Sequence, residues 1–125
     1  MKTNKLKILI AEDEEFADTY LTIVLKEIGS EIYHAKTGAE AVNIFSNNTD
    51  IDLVLMDISM PIMNGYTATE EIRKISKTVK IIAQTAYALE GDREKAIMAG
   101  CNNYISKPIN RNKLLEIIDS LTFNR

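Results

Sequence analysis

The sequence predicts an α/β fold in which five parallel strands form one sheet that carries helices on both faces. Short runs of branched apolar residues alternate along the 125-residue chain with segments whose apolar residues recur at helical spacing. Glycines and polar runs separate these segments, where strands and helices usually end. Several apolar runs also end in a charged or hydroxyl residue, which is typical of strands that reach the ligand-binding edge of an open sheet. We therefore expect a doubly wound domain with five helices and right-handed crossovers.

The first half of the chain is predicted to contain two pairs of a strand and a helix. A buried strand over Lys5–Ala11 leads into a helix over Glu15–Ile28, and Gly29 stands where that helix would stop. A short strand over Glu31–Ala35 and a helix over Ala39–Phe45 follow. The apolar stripe of the first helix consists of Phe16, Tyr20, Leu21, Val24, Leu25 and Ile28.

The second half begins with the predicted central strand, Ile51–Asp57, whose unbroken apolar run indicates burial on both faces. The turn Pro61–Gly65 precedes a helix over Tyr66–Ser76, and Val79–Ala83 is the fourth predicted strand. The last predicted elements are a weakly apolar helix over Leu89–Ala99, a strand over Asn103–Ser106, and a helix that Asn110 caps and that buries Leu114, Ile117, Ile118 and Leu121.

Length and composition limit the class of protein. With 125 residues and 46% hydrophobic content, the chain is expected to form a single domain over residues 1–125, with a core at about 5–121. The net charge is −3, and the basic residues form no stripe, so we expect no nucleic-acid binding. No apolar run approaches the roughly 20 residues of a membrane helix. Because the single cysteine, Cys101, can form no internal disulfide, we expect a cytoplasmic protein in which it fills space near a loop.

Polar residues at the predicted strand ends are the strongest functional signal. Glu12, Asp13, Asp57, Thr85 and Lys107 each end an otherwise apolar strand or follow it directly. Any one of them has an ordinary interpretation, since a carboxylate after a strand often caps the next helix and a lone lysine is usually solvated. Because polar residues stand at the ends of four predicted strands, the pattern as a whole favours a functional site.

The carboxylates of this edge repel one another, so a hard divalent cation is expected among them. Mg²⁺ prefers oxygen ligands, including phosphate oxygens, and keeps several of its waters. Mn²⁺ would serve as a substitute. The predicted ligands are Asp13, Asp57 and the backbone carbonyl of Ser59, with Glu12 acting through a water.

The other two residues of the edge suit a phosphoryl group. Lys107 would supply a second positive charge, and the Thr85 hydroxyl would donate to a phosphoryl oxygen. A transferring phosphoryl group is stabilised mainly by such positioning and charge. Asp57 would then be the nucleophile and form an acyl phosphate.

The motifs that contain these residues resemble the receiver domain of two-component response regulators. The resemblance runs from about Lys5 to Leu121 and is carried by four segments, Ala11–Asp13, Leu55–Gly65, Thr85–Ala86 and Lys107–Pro108. It implies a flavodoxin-like sheet of strand order 2-1-3-4-5. Because the sequence ends at Arg125, just past its last predicted helix, we expect no output domain, in either a free-standing regulator or a receiver cut from a longer hybrid kinase. We expect a monomer or a weak dimer.

The resemblance gives each residue of the site a role. Asp57 would accept a phosphoryl group from a phosphohistidine, in a reaction that needs the magnesium site and in which Lys107 pairs with the phosphoryl group. The bond from Lys107 to Pro108 would be cis. Thr85 and Tyr104 would be the switch pair that changes the face formed by the fourth helix, fifth strand and fifth helix. Without the resemblance, Tyr104 is more typical of a strand aromatic whose hydroxyl faces water.

The segment Ile82–Arg93 is similar to receivers attached to hybrid sensor histidine kinases. The partner would accordingly be a sensor histidine kinase or a histidine phosphotransfer protein. Asn64 and the pair Asn102–Asn103 depart from the acidic residues common in the family, which leaves loop details and partner choice open. His34, the only histidine, has no evident acidic partner and is predicted to be a surface loop residue, not a phosphodonor.

Two other classes use similar residues. An aspartyl-phosphate hydrolase of the haloacid-dehalogenase kind places a second acid two residues after its nucleophile, where this chain has Ser59. An FMN carrier of the same fold would need a first loop that cradles the phosphate group of FMN. The acidic run Glu12–Glu15 would repel that group. We therefore expect that the protein is not an enzyme but a phosphoacceptor that assists its own phosphorylation and dephosphorylation.

Overall fold

A computed structural model describes residues 5–86 and 91–122 of the chain. The strands are β1 Leu6–Ala11, β2 Gly29–Ala35, β3 Leu53–Asp57, β4 Lys80–Thr85 and β5 Asn103–Ser106. These five strands pair in parallel in the order β2-β1-β3-β4-β5, which confirms the predicted sheet. The helices are α1 Glu15–Leu25, α2 Gly38–Asn47, α3 Gly65–Ile75, α4 Asp92–Ala99 and α5 Arg111–Thr122.

The central strand β3 is buried along its whole length, as its apolar run predicts. Val54 pairs in register with Leu9 of β1 and Ile81 of β4. Alternate residues of the sheet point to opposite faces, so the core has two layers. One layer packs with α1 and α5 and contains Leu53 and Leu55. The other lies under α2, α3 and α4.

The first helix is shorter than its pattern predicts, and its stripe is only partly buried. It ends at Leu25, and Gly29 opens β2 instead of stopping the helix, because the carbonyl of Ile28 already accepts a sheet-like bond from the Leu6 N–H at 2.8 Å. Phe16 is 85% exposed, which contradicts its place in the packed stripe. The first turn of α1 follows the ends of the strands, so it has no sheet beneath it.

The fourth helix is weakly anchored, as its sparse apolar pattern indicates. Of its residues, only Ala96 and Ala99 are buried, while Met98 is 87% exposed. The predicted start at Leu89 lies outside the described residues. Asn110 accepts a hydrogen bond from the Lys113 N–H at 2.9 Å, which confirms its predicted capping role. Within the described ranges, no helix is long and apolar enough to cross a membrane.

Candidate functional site

The polar strand ends meet at the carboxyl edge of the sheet. Glu12 follows β1, Asp57 ends β3, Thr85 ends β4 and Lys107 follows β5. Because these four strands are parallel and adjacent, the side chains collect on one rim. Asp13 continues from Glu12 and is exposed, whereas Glu12, Asp57 and Thr85 are buried.

Asp57 is held by a backbone donor and a cation. Its Oδ1 accepts a hydrogen bond from the Ser59 N–H at 2.9 Å, and its Oδ2 lies 3.4 Å from the Lys107 Nζ. The start of α3 packs directly against it, since a Cβ added to Gly65 would lie 2.5 Å from the Asp57 carbonyl oxygen. Asp57 is only 4% exposed and ends a strand that is buried along its whole length. The N–H contact of Ser59 was not predicted, and the ligand role of its carbonyl stays a prediction.

Glu12 and Lys107 form an ion pair across the site. The Lys107 Nζ lies 2.9 Å from Glu12 Oε1, and the Glu14 N–H donates to Glu12 Oε2 at 3.1 Å. Burial raises the pKa of Glu12 to about 7; the hydrogen bond from Lys107 opposes this rise, and the nearby Asp57 carboxylate adds to it. Burial works against the charge of Lys107, but its bonds to the two carboxylates leave its pKa raised. The lysine therefore stays charged near neutral pH.

Three carboxylates at this rim are arranged for a cation. Glu12, Asp13 and Asp57 can each present one oxygen atom, and these atoms lie within 4.8 Å of one another. Such oxygen-only sets with an open side suit Mg²⁺, which keeps several of its waters. The exposure of Asp13 leaves that side open.

Adding Mg²⁺ to the metal-free chain is expected to raise its melting temperature. At a concentration of a hundred times Kd, binding to the native state alone contributes about 2.7 kcal/mol. Asp13→Asn should remove most of this gain, because it removes an exposed ligand without disturbing the core. Differential scanning calorimetry with and without Mg²⁺ measures the effect. The matched control is Asp119→Asn on the exposed side of α5, which should keep the full gain. An equal gain in both variants would contradict this ligand set.

Thr85 and Tyr104 lie on neighbouring strands, on the same face of the sheet. The Thr85 carbonyl accepts a hydrogen bond from the Lys107 N–H at 2.7 Å, and Tyr104 pairs in register with Ala83. The Tyr104 ring packs against the core layer under α2, α3 and α4. Its hydroxyl is buried and has no hydrogen-bond partner within the described part of the chain. The interpretation of Tyr104 as an aromatic with a wet hydroxyl is therefore wrong.

Two residues outside the site, His34 and Cys101, test predictions made from the sequence. His34 lies in β2 and not in a loop, and its Nδ1 is 2.9 Å from Asp18 Oδ1, so the absence of an acidic partner was wrongly predicted. The packing of α1 beside β2 creates this pair between residues that lie far apart in the sequence. Cys101 is buried with its Sγ 3.7 Å from the Thr69 Oγ1, in agreement with a packing role.

An apolar groove beside the site was not predicted. It has a volume of about 440 Å³ and runs between α1 and the segment after β5. The Tyr20 hydroxyl donates to the Ile109 carbonyl at 3.0 Å and so ties its two walls together. The groove is lined by Phe16, Ala17, Tyr20, Leu21, Lys107, Pro108 and Ile109. The bond between Lys107 and Pro108 is cis, as the resemblance implies.

Comparison with solved structures places this geometry in a known context. The receiver domain of the sensor histidine kinase PA1611 from Pseudomonas aeruginosa, with magnesium coordinated in its active site cleft, aligns with a TM-score of 0.84 and 36% identity. The alignment covers 94% of this chain and 97% of that one. The acidic cluster of Glu12, Asp13 and Asp57 fits the magnesium site of such a receiver.

A second solved structure contains a phosphotransfer partner. It is the co-crystal structure of the Saccharomyces cerevisiae histidine phosphotransfer protein Ypd1 and the receiver domain of its downstream response regulator Ssk1. The match has a TM-score of 0.86 and 31% identity, and covers 97% of this chain and 91% of the matched chain.

Sequence comparisons agree with the structural ones. Hybrid signal transduction histidine kinase I of Dictyostelium discoideum is 39% identical in an alignment 122 residues long, which covers 91% of this chain and 7% of the relative. The chain thus spans a small part of that relative. Residues 8–119 match the family model of the response regulator receiver domain. These findings do not support the hydrolase alternative, and the chain belongs to the family of response regulator receiver domains.

Proposed function

We propose that Asp57 of this receiver domain accepts a phosphoryl group from a phosphohistidine. The observation that carries the proposal is the placement of its buried carboxylate between the Lys107 ammonium, the Ser59 N–H and the acidic cluster. A carboxylate so placed has one cation in contact with it and a site for another beside it. Those are the conditions that stabilise a phosphoryl group in transfer.

The transfer exchanges one bond to phosphorus for another. An Asp57 carboxylate oxygen bonds to phosphorus while the bond from phosphorus to the histidine nitrogen breaks, and that nitrogen leaves with the electron pair. Lys107 pairs with the phosphoryl oxygens, and the Thr85 hydroxyl donates to one of them. A divalent cation held by Asp13, Asp57 and the Ser59 carbonyl, with Glu12 behind a water, would neutralise phosphoryl charge; Mn²⁺ would serve as Mg²⁺ does. The chain so assists its own phosphorylation and, with water as acceptor, its dephosphorylation.

Phosphorylation would be transmitted through Thr85 and Tyr104. The new dianion draws the Thr85 hydroxyl towards Asp57, and the Tyr104 ring follows because both side chains share one face of the sheet. The weak anchoring of α4 supports this, since only Ala96 and Ala99 of that helix are buried. The surface of α4, β5 and α5 is then the surface that changes.

The donor would be a sensor histidine kinase or a histidine phosphotransfer protein. The groove beside α1 supports such a partner, because it is apolar and open and includes Lys107 of the phosphoacceptor site. Phe16, exposed at its rim, would pack against an apolar face of the donor.

Incubation with acetyl phosphate tests the proposal. We expect intact mass spectrometry to show a gain of one phosphoryl group on the wild type when Mg²⁺ is present, and none with excess EDTA. Asp57→Asn should show no gain, because an amide oxygen is a far weaker nucleophile than a carboxylate. Asp119→Asn, which removes a carboxylate far from the site, should behave as the wild type. An unmodified wild type, or an Asp57→Asn variant that gains the same mass, would refute the proposal.

A further inference from the structure

Ile62 adopts a backbone conformation that is unfavourable for its side chain. Its φ is +71°, and the Met63 N–H donates to the Pro61 carbonyl at 2.8 Å, which makes a γ-turn centred on Ile62. A β-branched residue is strained at such a positive φ, which glycine or asparagine adopts at less cost. Ile62 is also 86% exposed, so packing within the chain does not offset the strain.

The turn that contains Ile62 is anchored on both sides. The Met63 carbonyl accepts a hydrogen bond from the Gly38 N–H of α2 at 3.1 Å. Asn64 caps α3 by accepting from the Thr67 N–H at 3.0 Å. These bonds fix the turn, but they involve backbone groups and Asn64, so none of them requires isoleucine at the strained position. The side chain is therefore presented to solvent on a rigid support.

Ile62 stands close to the phosphoacceptor. The backbone of Gly65 touches that of Asp57, and three residues of chain reach at most about 11 Å. A protein that brings a phosphohistidine to Asp57 would cover about 800 Å² of this surface, a disc of about 16 Å radius. Ile62 falls inside that disc for any donor centred on Asp57.

We propose that Ile62 is a docking contact for the phosphodonor, and that it inserts into apolar surface beside the phosphohistidine of a histidine phosphotransfer protein. The inference rests on the proposed function, since it takes Asp57 as the acceptor. Strain and exposure are both costs in the free domain, and burial of the side chain on binding is the gain that offsets them. A preorganised apolar contact loses little freedom when the donor docks.

The first test measures strain. Ile62→Asn places a residue that tolerates positive φ on the same turn and should raise the melting temperature by about 3 °C. Ile75→Asn, which removes a partly exposed isoleucine at the far end of α3, should give no such gain. An Ile62→Asn melting temperature below that of the wild type would show that the side chain stabilises the free domain, and would overturn the inference.

The second test measures docking. Ypd1 phosphorylated on its histidine serves as the protein donor and acetyl phosphate as the small donor. For Ile62→Asn we expect the half-saturating Ypd1 concentration to rise about tenfold, as expected for one exposed apolar contact of this size. The ratio of the Ypd1 rate to the acetyl phosphate rate at low donor concentration should fall by the same factor. Ile62→Leu, which keeps an apolar side chain, should stay within about threefold of wild type, and Ile75→Asn should match wild type with both donors.

The outcomes separate the two proposals. No labelling of the wild type by acetyl phosphate contradicts the acceptor role of Asp57. Labelling by acetyl phosphate combined with an unchanged Ypd1 dependence in Ile62→Asn overturns the docking role alone. A wild type that accepts from acetyl phosphate and not from Ypd1 also overturns it, because a donor of this class would then find no docking surface here.

Discussion

Lys107→Ala is expected to slow the phosphorylation of Asp57 by acetyl phosphate about 100-fold. The Lys107 Nζ lies 3.4 Å from Asp57 Oδ2 and 2.9 Å from Glu12 Oε1, in a side chain that is only 24% exposed. A preorganised cation in such a partly desolvated place stabilises developing phosphoryl charge far better than a solvated one. Removing it also leaves the buried Glu12 without its cation, which favours the protonated acid.

The initial rate of mass gain in Mg²⁺ measures this effect, with circular dichroism to confirm the fold. Lys74→Ala is the matched control, because Lys74 is exposed and, among the residues that the structure describes, pairs only with Glu71 on the same helix. It should keep the wild-type rate. Lys107→Arg should remain at least tenfold slow, since the planar guanidinium fork does not occupy the place of a compact ammonium. A Lys107→Ala rate within threefold of wild type would mean that the metal and the backbone donors suffice.

The strands of the sheet could be predicted from the sequence because each one is marked by its own short run of apolar residues. A buried parallel strand needs apolar residues on both faces, so β3 could be recognised from its composition alone. Helix α1 was less well predicted, because periodicity reveals a stripe without showing how far the sheet extends beneath it. Phe16 keeps the helical spacing of the stripe but lies past the strand ends, in the groove wall. A glycine such as Gly29 is compatible with the end of a helix and with the start of a strand. The hydrogen bond from the Leu6 N–H to the Ile28 carbonyl places it at the start of β2.

The site was predictable at the level of strand ends and not at the level of loops. Parallel pairing brings Glu12, Asp57 and Lys107 together whatever the loops do. The 2.9 Å bond from the Ser59 N–H and the γ-turn at Ile62 depend on the path of the chain between β3 and α3. That path is set by contacts with other parts of the chain, including Gly38, which local sequence does not encode.

Gly38→Ala is expected to lower the free energy of unfolding by about 3 kcal/mol or more. A Cβ at this position would lie 2.0 Å from the Met63 carbonyl oxygen and 2.8 Å from its carbonyl carbon. Both atoms are backbone, so no side-chain rotation relieves the overlap. The chain must move apart, and this costs overpacking strain together with the 3.1 Å hydrogen bond from the Gly38 N–H to the same carbonyl. Urea unfolding, followed by circular dichroism, measures the change.

Ser46→Ala, at an exposed position of the same helix, controls for alanine substitution and should stay within about 0.5 kcal/mol of wild type. The comparison with Ile62→Asn carries the argument further, because the two changes act on one turn from opposite sides. Ile62→Asn relaxes the turn without moving it, whereas Gly38→Ala pushes away the carbonyl that anchors it. We therefore expect stabilisation in the first and destabilisation in the second. A loss below 1 kcal/mol in Gly38→Ala would show that the turn yields easily, and a yielding turn could not hold Ile62 in a strained conformation.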